Sequence, residues 1–368
     1  MGIQRIEVFP VTLHYHEPFT ISAGSSIESH NVIVKIITDY EVIGWGEASP
    51  SKRVTNETQE TVLQTLDKIA PRLIGECPLC VEKDLEIMDE TVPGNPSAKA
   101  AIDMALHDIL GKTTKKPLFM VLGGYKKEIL TDITLSLKTP KEMAKDAVKA
   151  VKEGFKALKL KLGVNPKEDI ERVKLVREAV GNDVDIRIDA NQGWTTQQAI
   201  EVLQKLEPYN IQFCEQPISA QNVHEMAKVR VASPIPIMAD ESVHTPSDAL
   251  RLIYENAVDF INIKLMKCGG IQNAKKIAAV TEAANIPCMI GCMGESNIGI
   301  SAAVHVAVAT RNIQYADLDC DILLKDKIVK KGGAQIKESK RSPTWDNGLG
   351  ILKLNEKLLG NPLKAYGE

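Results

Sequence analysis

Five short apolar segments each end in a charged residue, and the residue types together fit proton transfer beside a metal ion. The segments are Ala157-Leu158-Lys159-Leu160-Lys161, Asp185-Ile186-Arg187-Ile188-Asp189, Ile211-Gln212-Phe213-Cys214-Glu215, Ile235-Pro236-Ile237-Met238-Ala239-Asp240 and Phe260-Ile261-Asn262-Ile263-Lys264. Charge at the end of a buried strand is costly unless it serves a site. From Lys161 to Asp189, Glu215, Asp240 and Lys264 the steps are 28, 26, 25 and 24 residues. Each is close to one strand-helix unit, which predicts a ring of charges at one mouth of a barrel. Strand side chains alternate, so Lys159 shares a face with Lys161, and Asn191 with Asp189. Asp189, Glu215 and Asp240 would repel one another without a cation. Hard oxygen ligands with room for water and substrate favour Mg²⁺ over zinc. Lys161 and Lys264, from the second and sixth strands, then face the two sides of a bound carbon acid. Lys159 and the metal are expected to press the neighbouring lysine toward neutrality, as a base at neutral pH requires. A single K-x-K is usually a solvated face, and an acid at a strand end is often a helix cap. Six such residues at one register of a repeating unit point instead to a site.

The elements that position them follow from periodicity. Residues 3–48 read as strands in hairpin order, and helices are predicted over about 55–73 and 97–110, the second capped by Ser97. This is an α+β module over residues 1–124, with Leu122-Gly123-Gly124-Tyr125 as the hinge. Strands at 130–137, 157–162, 185–190, 211–215, 235–240, 260–265, 287–292 and 313–318 alternate with amphipathic helices such as 169–180 and 196–206. That alternation predicts a closed parallel barrel over 125–327, and no Gly-rich phosphate loop follows the first strand as an open doubly wound sheet would need. The segment 328–368 is too long for a barrel terminus and is expected to return to the N-terminal module.

The composition narrows the partner. With 45 Lys+Arg against 48 Asp+Glu in 368 residues, the net charge of -3 offers no attraction to nucleic acid or anionic lipid. No signal peptide or membrane span is evident, so a cytoplasmic protein with a small-molecule partner is expected, with room left for a homo-oligomer. Seven scattered cysteines suit reduced thiols, and the lone Cys77-Pro78-Leu79-Cys80 has no second pair to make a zinc ribbon. His305, in an apolar helix-like stretch, reads as a core residue.

Lys159-Leu160-Lys161, Asp189-Ala190-Asn191, Glu215-Gln216-Pro217, Asp240-Glu241-Ser242 and Lys264, with Gly44-Trp45-Gly46-Glu47 upstream, resemble the muconate-lactonizing-enzyme subgroup of the enolase superfamily over nearly the whole chain. The resemblance implies α/β architecture, a modified TIM barrel (β/α)7β with an α+β capping domain. It also implies Mg²⁺ on Asp189, Glu215 and Asp240, with proton transfer by Lys161 and Lys264; sites of this superfamily pair a lysine or histidine base with magnesium. On the last strand, Asp317 and Asp319 share a parity and make a sound anchor for a cation, with Asp321 two residues further on. The pair is similar to the D-x-D with which dipeptide epimerases hold the substrate ammonium. Thr134, Lys159 and the loop Gly291-Cys292-Met293-Gly294-Glu295 carry the same likeness, which places Thr134, Lys159, Asn191, Cys292, Gly294, Asp317 and Asp319 around the substrate. At two places the chain departs from enzymes of L-Ala-D/L-Glu. Gly24 stands where those carry an arginine after Pro-Phe, and Gly294 where a larger apolar residue is usual. The expected substrate is therefore a dipeptide with an uncharged or bulky C-terminal residue, inverted at its α-carbon through an ene-diolate. An o-succinylbenzoate synthase or an N-acylamino acid racemase is the alternative, but neither substrate offers an ammonium to the two aspartates.

Overall fold

Hydrophobic alternation decides which faces meet. In the computed structural model, residues 1–22 and 24–368 are described. Strands β1 (Ile3–Ile21), β2 (Gly24–Thr38) and β3 (Ile43–Ala48) form an antiparallel sheet. Along β2 the side chains Val32, Val34 and Ile36 enter the core of the cap, whereas Ile33, of opposite parity, enters the core shared with the barrel. The cap core is completed by helices α1 (Gln59–Leu73), α2 (Val81–Thr91) and α3 (Pro96–Thr113). Thr58 and Thr61 exchange hydrogen bonds as a capping box that starts α1. The start of α3 corrects the expectation for Ser97, whose backbone N–H, with that of Ala98, donates to the Glu57 carboxylate at 2.9 and 3.2 Å. A carboxylate from another segment thus does the capping.

Helix α3 is buried nearly all round because it lies between β3 and the barrel. The Gly-Trp-Gly-Glu segment makes that sandwich close. A methyl group on Gly44 would run into the Ala105 carbonyl, and one on Gly46 into the Ala101 carbonyl.

A short helix α4 (Leu118–Val121) and strand β4 (Ile129–Leu130) lead into the barrel. Its units run β5 (Ile133–Leu135), α5 (Pro140–Lys152), β6 (Ala157–Lys161), α6 (Pro166–Val180), β7 (Asp185–Asp189), α7 (Thr196–Leu206), β8 (Ile211–Glu215) and α8 (Val223–Ala232). They continue with β9 (Ile237–Ala239), α9 (Pro246–Tyr254), β10 (Phe260–Lys264), α10 (Leu265–Cys268), α11 (Ile271–Ala283), β11 (Cys288–Gly291), α12 (Asn297–Ala309) and β12 (Ile313–Asp317). Eight parallel strands stand in the order β5 to β12, which is a (β/α)7β barrel. The predicted first strand at 130–137 is split. Leu130 pairs outside the barrel, while Thr131 bridges Ala316 and its hydroxyl accepts from the Leu318 N–H, closing the seam between β12 and β5. After α13 (Cys320–Leu323), strands β13 (Val329–Gly332), β14 (Gln335–Lys337), β15 (Lys340–Ser342) and β16 (Ile351–Leu354) follow, then α14 (Glu356–Leu359) and β17 (Lys364–Gly367). β15 pairs with β4, and β17 with β1.

The two faces of each barrel strand differ in kind. Leu158, Leu160, Ile186, Ile188, Ile261 and Ile263 point outward to the helices. The inner face has Phe213, Met238 and Met289 at the bottom, with the Arg187 guanidinium 5.2 Å from the Phe213 ring and 5.3 Å from the Tyr315 ring. Next along the strands comes the charged layer. His305 is buried as expected, its Nδ1 accepting from the Phe119 N–H. No helix among the described residues is long and apolar enough to cross a membrane.

Replacing Gly46 by Ala should separate β3 from α3. We expect a loss of about 2–3 kcal/mol in urea unfolding, the upper range for forcing a methyl into a packed contact, whereas Gly75→Ala, where a Cβ meets nothing within 4 Å and only the positive φ of 86° opposes a side chain, should lose less.

Candidate active site

Strand register brings the predicted residues to one level. Lys161 pairs with Asp189, Asp189 with Glu215, Lys264 with Gly291, and Gly291 with Asp317. In a closed ring of eight strands, β6 and β10 are four apart, so Lys161 and Lys264 project from opposite sides. Asp189, Glu215 and Asp240 occupy the arc between them through β7, β8 and the end of β9. Thr134, Cys292, Asp317 and Asp319 occupy the other arc. Above them the cap closes a cleft of about 530 Å³, lined by Lys159, Lys161, Asn191, Asp240, Lys264 and the second arc, with Gly24 and Gly294 on its wall.

The charged layer is one connected network. Lys159 Nζ lies 2.7 Å from Asp317 Oδ2, 3.1 Å from Asp189 Oδ2 and 2.7 Å from Glu215 Oε2, the last without hydrogen-bond geometry. Lys161 Nζ donates to Asp189 Oδ2 at 2.6 Å and Lys264 Nζ to Asp240 Oδ2 at 2.8 Å. Burial works against the ionised forms of Asp189 and Asp240, yet the lysines outweigh it and hold both carboxyls below their ordinary range. Glu215 is pushed up to about 7 by burial and by Asp189. The lysines answer in kind. Burial presses Lys264 down, but Asp240 overrides it and holds the amine above its ordinary value; Lys159 is raised the same way, chiefly by Asp317 against burial. At Lys264 the Asp240 carboxylate thus outweighs the like charge of Lys159.

The donor set fits a hard cation. Around Asp189, Glu215 and Asp240 stand the buried oxygens Asn191 Oδ1, Glu241 Oε2 and Asn262 Oδ1, none of which has a hydrogen-bond partner. Unpaired buried oxygens beside three carboxylates are what a magnesium or calcium ion satisfies. Glu241, buried beside Asp240, is pushed up to about 8 by that burial and that neighbour, which marks the same surplus of negative charge.

On the other arc, the Thr134 N–H donates to Asp319 Oδ2 at 2.6 Å and its hydroxyl reaches Asp317 Oδ1 at 3.4 Å. Thr134 therefore orients both aspartates. Burial and the Asp317 charge push Asp319 up to about 6. Asp321 turns away to Arg341 and Asn297, whereas Asp317 and Asp319 line the cleft. Cys292 Sγ lies 3.7 Å from Asp319 Oδ1.

Both departures at glycine acquire a different meaning. A Cβ on Gly24 would stand 2.5 Å from Arg53 Nη2, so a guanidinium from the loop after β3 already occupies that wall. At Gly294 a Cβ would meet Ser29 Oγ at 2.5 Å and Tyr15 Oη at 2.9 Å, so those side chains fill the expected extra width. Reading the sequence also missed Lys267, which pairs with Asp240 at 2.5 Å, and Asn262, whose amide donates to Glu215 Oε1 at 2.9 Å. Asn262 shares the parity of Lys264, which was a usable signal; the side chain of Arg53 reaches Gly24 through the tertiary fold and left none.

Comparison with known proteins places these features in company. Residues 3–123 match the mandelate racemase / muconate lactonizing enzyme N-terminal domain, and residues 142–357 the enolase C-terminal domain-like family. The chain is 41% identical over 359 residues to an L-Ala-D/L-Glu epimerase of Clostridium acetobutylicum, covering 96% of this chain and 100% of that protein. The crystal structure of a dipeptide epimerase from Enterococcus faecalis V583, complexed with Mg and L-Leu-L-Tyr, superposes with a TM-score of 0.94 at 42% identity over 96% of this chain and 100% of that one. An N-succinyl Arg/Lys racemase from Bacillus cereus gives 0.95 at 37% identity over 99% of both chains.

Replacing Lys159 by Met would leave three carboxylates without their shared cation. Breaking such a buried pair costs about 3–5 kcal/mol. We expect a loss of that size in chelator-treated protein by urea unfolding, shrinking when millimolar Mg²⁺ is added; an equal loss in both conditions would argue against a cation at these carboxylates.

Proposed function

The chain belongs to the mandelate racemase / muconate lactonizing enzyme family and is an isomerase, and we propose that it inverts the α-carbon of the C-terminal residue of a dipeptide. The observation that carries this reading is the pair of buried lysines on opposite sides of one cleft, with an acidic arc on either flank. Asp317 and Asp319 hold the substrate ammonium, oriented by Thr134, with Cys292 packed beside them. The substrate carboxylate then lies toward Asp189, Glu215 and Asp240, the residues that would hold Mg²⁺. Bound there, Mg²⁺ supplies the positive charge that anchors the carboxylate and acidifies the adjacent α-proton.

One lysine removes the α-proton and the lysine across the cleft returns a proton to the other face, so inversion follows from their opposition. Lys161 serves one enantiomer and Lys264 the other. Asp189 and Asp240 each pair with one of these lysines and are also among the residues that would hold the metal, so a bound ion would add positive charge beside both acid–base pairs. The Lys159 ammonium, held by its three carboxylates, stabilises the charge of the ene-diolate. Asn191 is placed by its N–H bond to Asp189 Oδ1 and directs its amide to Glu241, bordering the carboxylate end.

The inverted residue meets the wall at Gly24 and Gly294. Phe19, Ile21 and Met293 line that wall and favour an uncharged side chain, while Ser29 and Tyr15 take up the width beside Gly294. A specific observation favours a second reading: the Arg53 guanidinium against Gly24 makes no ion pair with any described residue and would suit an acidic side chain. Racemization of an N-acylated amino acid has the likeness to the Bacillus cereus enzyme in its favour, but its substrate brings no ammonium to Asp317 and Asp319.

Incubation in D₂O with Mg²⁺ and a panel of L-Ala-L-Leu, L-Leu-L-Tyr, L-Ala-L-Glu and N-succinyl-L-arginine separates these readings by deuterium uptake at the α-carbon. Dipeptide exchange with no exchange of the N-succinyl compound is the expected result; the reverse would overturn the dipeptide reading. If L-Ala-L-Glu is turned over, Arg53→Met should cost it about tenfold to 100-fold in kcat/KM, the worth of one hydrogen-bonded charge, and leave L-Ala-L-Leu unaffected.

Lys264→Ala should lower epimerization at least about 100-fold in both directions, a typical contribution of one general acid or base, while Lys161 still exchanges the α-proton of a single enantiomer. Undiminished epimerization would remove Lys264 from the mechanism.

A further inference from the structure

Two thiols and a carboxyl that no proton transfer uses meet at the edge of the cleft. Cys292 follows β11, Cys320 begins α13, and Glu295 lies in the loop before α12. One ligand atom from each lies within 4.8 Å of the others. We propose that Cys292, Glu295 and Cys320 form a second cation site, for a thiophilic ion of the Zn²⁺ or Cd²⁺ class, beside the pocket that Asp317 and Asp319 define.

The spacing supports it. Zinc bonds of about 2.3 Å to sulfur and about 2.1 Å to oxygen, at the tetrahedral angle, put ligand sulfur and oxygen about 3.6 Å apart. Cys320 Sγ is 3.6 Å from Glu295 Oε2, and Cys292 Sγ is 3.7 Å from Asp319 Oδ1, which brings a fourth donor to ligand distance of one thiol. The Met293 N–H donates to Glu295 Oε2 at 2.5 Å and pins the carboxyl, as an outer partner of a metal ligand does. The three residues are buried, at 9%, 3% and 3% exposure, yet Cys292 and Cys320 both line the cleft, so an ion has a way in.

The chemistry separates this site from the carboxylate arc. Sulfur selects a soft ion and the all-oxygen arc a hard one, so the two cations sort themselves. Burial pushes the Cys292 thiol up to about 11 and keeps it protonated until a cation arrives. Binding then exchanges each S–H bond for a sulfur–metal bond and releases the two protons to solvent, with no change of oxidation state. An ion here takes up Asp319 and the space beside Asp317. On the dipeptide reading given above, it therefore inhibits in competition with the substrate ammonium.

The test uses the full chain with saturating Mg²⁺, in a Cys77→Ser/Cys80→Ser background that removes the surface pair, and Cd²⁺ as the probe. We expect a thiolate-to-cadmium ultraviolet band that saturates at one equivalent. Cys320→Ser and, independently, Cys292→Ser should abolish the band and weaken Cd²⁺ binding at least about 100-fold, the upper end of what even an outer-sphere partner is worth. No band in the Cys77→Ser/Cys80→Ser background, or a band that persists in both further variants, overturns the site. Because the band needs no turnover, its presence without dipeptide activity would sink the proposed reaction and leave the site standing. Cd²⁺ inhibition that Cys320→Ser fails to relieve, with the band lost, would overturn the competition.

Discussion

Burying opposite charges together, with neither sign allowed to win, is the constraint from which the rest of the barrel follows. Lys159 alone serves Asp189, Glu215 and Asp317 on both arcs. An isolated carboxylate in this position would take up a proton rather than stay ionised. Glu215, at about 7, is already part of the way there. The layer is held by mutual compensation, so no member of it carries its charge independently of its neighbours. A core of branched aliphatics, the usual filling of such a barrel, would be more stable and chemically inert. Here the aliphatic residues are confined to the outer face, and Phe213, Met238 and Met289 plug only the bottom.

The cap is tied to this layer through a second buried carboxylate. Glu47 accepts from the backbone of Ser296 and Gly299 at 2.9 and 2.8 Å, at the start of α12, and from Asn31 at 2.8 Å. Asn31 in turn donates to the Gly294 carbonyl at 2.8 Å. One acid of the cap thus caps a barrel helix and fixes the loop that carries Cys292 and Gly294. The glycines before it matter for the same reason: they let β3 lie close enough on α3 for Glu47 to reach.

Much of this was legible because strand residues repeat with period two and barrel units with a period near 26. Lys161, Asp189, Glu215, Asp240 and Lys264 declare their common level by spacing alone. The features that escaped are those set by contacts between distant segments. Ser97 looked like a helix cap, but Glu57 holds that role from another segment. Residues 130–137 looked like one strand, yet Leu130 is drawn to β15 while Thr131 seals the seam. The electrostatic balance was also out of reach, since whether Lys264 feels Lys159 or Asp240 more strongly depends on separations no pattern encodes.

Arg53 and Gly24 show where novelty enters such a molecule. The part of the cleft wall around Gly24 is furnished by segments of the cap, whereas Lys161 and Lys264 stand on barrel strands whose register is fixed by their neighbours. A guanidinium delivered from one loop can stand in for a side chain deleted from another. The lining of this part of the cleft can therefore be altered through its loops without disturbing the strand register beneath it.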